Sequence, residues 1–198
     1  MSASSVDIVA ALVCWLRFSK QMPYTATEME LGRFRADVFG ANKSECIEVE
    51  VKVSMRDLKR EFETKKGKHR LYSEDNSGWK TPPNRVYFAV PHVLKDHALE
   101  LLETKAPQYG LLFMQEDNFY HESVPWKLLR VAKSAKWLHR ERPKDSLLSA
   151  VLDRMGSEIA HFHLGRSLYF DAFDRIRELS RAMAPPTSHE MQPIEGLE

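Results

Sequence analysis

Residues 33–53 read RFRADVFGANKSECIEVEVKV, and the fold is decided there. From Arg33 to Phe39 the apolar Phe34, Ala36 and Val38 alternate with Arg33, Arg35 and Asp37, the two-residue period of a half-buried strand. Gly40-Ala41-Asn42-Lys43-Ser44 reads as a turn. From Cys46 to Val53, Ile47, Val49, Val51 and Val53 lie on one face and Glu48, Glu50 and Lys52 on the other. The pair predicts a β-hairpin with one buried and one charged face. A turn centred near Asn42 sets Asp37 opposite Glu48, and one centred a residue later sets it opposite Glu50. In either register both glutamates are direct or diagonal neighbours of Asp37, within roughly 5 to 8 Å.

Like charges facing each other in a sheet are destabilising, so carboxylates held this way invite a cation. Hard oxygen ligands of this kind suit Mg²⁺ or Mn²⁺. Such an ion lowers the pKa of a bound water and stabilises the charge that develops on an attacked phosphodiester. Lys52, beside them, is placed to orient that water or offset the charge. The same residues also fit a plainer role, the solvated face of an amphipathic strand on which Glu and Lys alternate for solubility.

Working outward, Val9, Leu12, Val13 and Leu16 predict an amphipathic helix over about 6–18. Ser54-Met55-Arg56-Asp57 has the form of a capping box and predicts a helix from there to about Lys66. Between Tyr72 and Asn84, a polar run and Pro82-Pro83 predict a surface loop. Val86–Val90, a helix over about 93–105, and Gly110–Met114 form a strand, helix, strand crossover, which pairs its strands in parallel. From Ser146 the pattern is helical again, with Leu148, Val151, Leu152, Met155 and Ile159, then Leu168, Phe173, Ile176 and Leu179, and predicts two helices. Pro185-Pro186 ends the second. The expected organisation is a core over 1–135, a helical extension over 136–184 and a disordered tail over 185–198.

A helix, a strand with Asp, a strand with Glu-x-Lys, then helix, strand, helix, strand resembles the core layout of the PD-(D/E)XK nuclease superfamily. Gly32-Arg33-Phe34-Arg35-Ala36-Asp37-Val38, Ile47–Ser54 with Asp57-Leu58 after it, Tyr72, Val86–Pro91 and Tyr109-Gly110-Leu111-Leu112 resemble its MmcB-like, DNA-repair-associated branch. The resemblance covers roughly Glu28 to Val131. It implies an α/β fold with a restriction-endonuclease-like αβββαβ core, a mixed central sheet and an appended C-terminal helical segment. It also implies that Asp37, Glu50 and Val51 hold Mg²⁺ or Mn²⁺, that Lys52 is the catalytic lysine, and that Glu28 or, preferentially, Glu30 supplies an extra acid. The activity implied is a metal-dependent DNA phosphodiesterase. The alternative is a non-catalytic DNA-binding or adaptor protein of DNA repair that keeps the fold. Phe34 stands where the family's usual pattern has a second arginine, which leaves the substrate open.

Composition bounds the rest. The 198 residues are 43% hydrophobic and 29% charged, with a net charge of +1, so an electrostatic argument must rest on local clusters. One such cluster, Lys65, Lys66, Lys68, His69 and Arg70 with Tyr72 beyond it, suits tracking a phosphate backbone, or else simply complements a helix C-terminus. His139, His161 and His163 lack companions at metal-ligand spacing. Trp126 and Trp137 flank a basic stretch and are expected to pack rather than stack on a base. Two cysteines, Cys14 and Cys46, fit small buried hydrophobes in a reducing cytoplasm. The apolar stretch 8–16 is too short to span a membrane. DNA is the expected partner, with room for a protein partner or a second copy of the chain.

Overall fold

The computed structural model describes residues 3–73, 83–115 and 125–182. Helix α1 (Ser5–Cys14) starts on a reciprocal cap: Ser4 Oγ accepts from the Asp7 N–H at 3.3 Å, and Asp7 Oδ2 accepts from the Ser4 N–H at 3.0 Å. The helix runs on as a π-helical turn over Trp15–Ser19, so the expected helix ends where the periodicity does. Ile8, Ala11, Leu12, Trp15 and Leu16 are buried along one side of it.

Three antiparallel strands follow, β1 (Tyr24–Leu31), β2 (Phe34–Ala41) and β3 (Cys46–Val51). Gly32, at φ 67°, makes the first turn in the left-handed region that glycine enters without steric cost. Asn42 makes the second: its Oδ1 accepts from the N–H groups of Ser44 at 2.8 Å and Glu45 at 2.9 Å. This turn pairs Val38 with Val49. Continuing that register by one residue sets Asp37 across from Glu50, the later of the two expected registers.

Helices α2 (Met55–Thr64) and α3 (Lys66–Ser73) come next, then β4 (Arg85–Pro91), α4 (Lys95–Lys105), β5 (Gly110–Met114) and β6 (Leu129–Lys133). The six strands form one mixed sheet in chain order; β4–β5 is parallel, as the crossover predicted, β3–β4 is parallel as well, and β6 returns antiparallel. One face carries α1 over Val38, Ile47, Val49, Val51, Tyr87, Ala89, Leu112 and Met114. On the other face, Leu58 of α2, Tyr72 of α3, and Ala98 and Leu102 of α4 pack on Val86, Phe88, Val90 and Leu111.

The end of the chain departs from expectation. A single helix, α5 (Asp145–Ala182), replaces the two predicted, because Gly156 and Gly165 inside it weaken a helix without breaking it. The chain divides into two compact units, Met1–Gly156 and Ser157–Glu198, so the core reaches past residue 135. Leu147, Leu148 and Val151 of α5 join Ala26, Phe39, Ala41 and Cys46 in a third apolar cluster. The 185–198 tail and nearly all of the loop before Asn84 lie outside the described residues. No described helix is long and apolar enough to cross a membrane.

Candidate acid–lysine centre

The charged face of β3 is not solvated. Glu48 is 0%, Glu50 1% and Lys52 6% exposed, which overturns the expectation of a polar face open to water. The cover is laid by the next segment. Ser54 Oγ accepts from the Asp57 N–H at 3.1 Å and starts α2, and Leu58 anchors it in the core. Glu61, three residues on and therefore on the same face, reaches the cluster. Its Oε2 lies 3.1 Å from Lys52 Nζ and 3.0 Å from Lys65 Nζ.

The expected single helix breaks at Lys65, which leaves helical geometry, and the chain restarts as α3. That turn aims Lys68 and Tyr72, one helical turn apart, at the same carboxylates. The Lys68 ammonium ion-pairs with both Glu48 and Glu50. Tyr72 donates to Glu48 Oε2 at 2.6 Å. Glu50 is thus held at Oε1 by Lys68 and at Oε2 by Lys52 at 3.0 Å and Lys65 at 3.4 Å. Asp37, half-buried, accepts from the Val51 N–H at 2.7 Å through Oδ2. Beyond Glu61, His69 Nδ1 lies 3.1 Å from the Tyr109 hydroxyl, and His69 Nε2 stops 3.9 Å from Glu61 Oε1. Neither of those last two atoms has a hydrogen-bond partner, although both are buried.

Four carboxyl groups, Asp37, Glu48, Glu50 and Glu61, therefore face three ammonium groups, Lys52, Lys65 and Lys68. The imbalance shows in their proton affinities. Burial raises Glu50, but Lys68, Lys52 and Lys65 outweigh it and hold the carboxyl down at about 2. Glu48, wholly buried, is raised: burial exceeds what Lys68 alone can offset, and Glu50 adds to it. Asp37 is raised by burial and by Glu50. Burial works against the charge of Lys52, yet Glu50, Glu61 and Asp37 keep its affinity for the proton above the ordinary lysine value. Lys68 is raised likewise by Glu48 and Glu50. His69 is lowered, chiefly by burial, which favours a neutral ring.

The expected site residues are only partly brought together. Asp37, Glu50, Val51 and Lys52 converge as expected. Glu30 is exposed on β1 with Arg35 as its strand partner, and Glu28 instead pairs with Arg35 Nε at 2.7 Å. Of the proposed DNA-contacting residues, Lys66 and Arg70 are exposed and Lys65 partly so. Lys68 at 1% and Tyr72 at 4% exposure are closed off, so neither presents its polar group to a nucleic acid here. The reason is that the basic run is split between two helices, and α3 turns one lysine inward. Among the described residues, no group of three or more His, Cys, Asp or Glu side chains is placed to hold a metal ion. With both oxygens of Glu50 held by lysines, the residues as placed do not fit Mg²⁺ or Mn²⁺.

Sequence reasoning missed Glu61, His69 and Tyr109 in this network. The Glu61–Lys65 spacing of four was a readable signal; the burial of Glu61 was not. His139 lies against Asn84, its Nδ1 3.3 Å from Asn84 Nδ2, while His161 and His163 are exposed. The guanidinium groups of Arg85 and Arg140 lie over the Trp137 ring, 4.2 and 4.0 Å from its centroid, so the tryptophan packs against cations of the protein itself. The Trp126 side chain lies outside the described residues. Cys46 is buried, its thiol pushed up to about 12 mainly by burial, and Cys14 is half-buried. Compared with protein-family models, curated proteins and solved structures, the chain finds no match in any of the three.

Proposed function

We propose that the chain acts on DNA as a phosphodiesterase of PD-(D/E)XK type, with a restriction-endonuclease-like core and the MmcB-like branch as its nearest resemblance. The observation that carries this reading is the meeting of Asp37, Glu50 and Lys52 at the carboxyl end of β3. Asp37 faces Glu50 across the hairpin, and Lys52 lies 3.0 Å from Glu50. β3 pairs in parallel with β4, and the carboxyl ends of parallel strands are where α/β folds bind ligands. The order of helix, three antiparallel strands, helix, strand, helix and strand supports the same reading.

Lys52 stays protonated in this setting, so its part is to offset negative charge developing on the phosphoryl oxygens rather than to take a proton from water. Asp37 is the least buried of the clustered carboxyl groups and the one a substrate meets first. Mg²⁺ or Mn²⁺ is the ion that the resemblance implies. The setting we propose is the cytoplasm, with a second copy or another protein as partner in repair.

The second reading, a DNA-binding or adaptor protein without catalysis, is favoured by the burial and complete pairing of Glu50 and Lys52. Incubating the protein with labelled single-stranded, duplex and branched DNA, in Mg²⁺, Mn²⁺ or chelator, separates the two. We expect cleavage by the wild type and a loss of about 10²- to 10³-fold in Lys52→Ala, with DNA binding nearly retained and folding checked by melting. Binding without cleavage under every condition decides for the adaptor.

A further inference from the structure

The segment from Lys136 to Lys144 reads KWLHRERPK, four cations against one acid, in a chain whose net charge is only +1. It belongs to no helix or strand, yet its backbone is held in place. The Lys136 N–H donates to the Gln108 carbonyl and the Leu138 N–H to the Asn84 carbonyl, both at 2.8 Å, and the wholly buried Asn84 amide donates in turn to the carbonyls of His139 and Glu141. With the main chain fastened inward, Lys136, Arg140, Arg142 and Lys144 are left exposed. Lys43, in the turn between β2 and β3, is exposed as well, and it shares with Arg142 a surface cleft of about 500 Å³ that Tyr24, Leu148 and Ser149 also line. Asp145 is the acid of that lining. None of these five cations forms an ion pair among the described residues, whereas Arg85, at the start of β4, is paired with Glu45 at 3.3 Å.

We propose that Lys43, Lys136, Arg140, Arg142 and Lys144 form the strip on which the DNA backbone lies, with a phosphate seated between Lys43 and Arg142 in the cleft. Cations that have no carboxylate partner and stand on a pinned backbone meet phosphates without the cost of ordering a loop. The contacts go to phosphates rather than bases. Trp137, within the segment, already carries the Arg85 and Arg140 guanidinium groups, so the strip offers charge and not a stacking platform. The strip sits at the amino end of β3, where Asn84 also takes the Cys46 N–H, and the acid centre sits at the carboxyl end, about 20 Å away at roughly 3.3 Å per residue. It therefore serves binding whether or not the acid centre cuts. The inference rests on the reading that the chain engages DNA and deepens it by placing the backbone.

The test is fluorescence anisotropy of labelled duplex and single-stranded DNA, each in two unrelated sequences, titrated with the full-length protein at several salt concentrations. In the strip variant Lys43, Lys136, Arg142 and Lys144 are changed together to Gln, which leaves Arg140 on Trp137. A control changes Arg56, Lys59, Arg60 and Lys105, exposed on α2 and α4, to Gln and alters the net charge equally. We expect the strip variant to bind at least about tenfold more weakly at about 0.1 M salt, alike for both sequences, with its duplex salt slope reduced by about 3 to 4, and the control to bind as the wild type does. Unchanged affinity and slope in the strip variant overturn the proposal and leave the DNA reading standing. Equal losses in strip variant and control show net charge alone at work and overturn it as well. A wild type that binds no DNA overturns both the proposal and the DNA reading, and one that binds vesicles of anionic lipid instead gives the strip to a membrane surface. If the combined variant does not fold, Lys43→Gln and Arg142→Gln are read singly, each expected to lower the slope by about 1, and an unchanged slope in both overturns the proposal.

Discussion

The two faces of β3 are equally dry and chemically opposite. Under α1 lie Ile47, Val49 and Val51; under α2 and α3 lie Glu48, Glu50 and Lys52. The apolar face is held by burial, which has no direction and tolerates changes of shape. The charged face is held by matching, in which each group is safe only while its partners stay. Pairs of this kind contribute little net stability once desolvation is counted, yet removing one member costs a great deal.

That contrast can be broken most directly at Lys68. Lys68→Met leaves Glu48 with Tyr72 but no cation and Glu50 without its Oε1 partner, and is expected to cost about 3–5 kcal/mol in urea unfolding. A loss below about 1 kcal/mol would mean that the charged face is as forgiving as the apolar one.

Acid sharpens the comparison next. The Glu50 carboxyl is held at about 2 in the folded chain against an ordinary 4.5, a depressed value. Its contribution to stability is complete above the ordinary value and is lost as pH falls toward the folded one, about 3 kcal/mol in all. Glu48, raised by burial, works in the opposite sense and gains stability on protonation. Wild type and Glu50→Gln are therefore to be compared from near neutrality to about pH 2, and the gap between them should close on acidification. A gap that stays constant would show that Glu50 carries no charge-dependent stability.

Val49→Ala, on the apolar face, supplies the smallest effect, about 2 kcal/mol for the methyl groups and the cavity left behind. It should be the same at both ends of that pH range, and a pH-dependent loss would show the two faces to be coupled through the strand.

How much of this was legible in the sequence follows from what periodicity encodes. Alternation assigned each residue of β2 and β3 to a face, and Ser54 marked the start of α2, because both signals are local. Alternation does not say what covers a face, so the burial of Glu48 and Glu50 could not be read from it. The two strands not anticipated individually, β1 and β6, are the edges of the sheet. β1 carries Thr25, Thr27, Glu28 and Glu30 among its eight residues, and β6 carries Arg130 and Lys133, so their apolar signal is faint. The break at Lys65 has no proline to announce it, and without that break the spacing of Lys68 and Tyr72 lost its meaning.

Asn84, wholly buried at the head of β4, ties distant parts of the chain to one another. Its Oδ1 accepts from the Cys46 N–H at 2.7 Å, and its Nδ2 donates to the carbonyls of His139 at 3.2 Å and Glu141 at 2.8 Å. These bonds close loops of 38, 55 and 57 residues, whose closure entropy must be met before any of them forms. The β3–β4 pairing beside the acid face is thus a non-local contact. During synthesis, the amide of Asn84 stays without its carbonyl acceptors until the chain has been made as far as Glu141. The partners of the charged face of β3, Asp37 to Tyr72, are by then all in the chain, so the last stitch at Asn84 belongs to the sheet and not to that face.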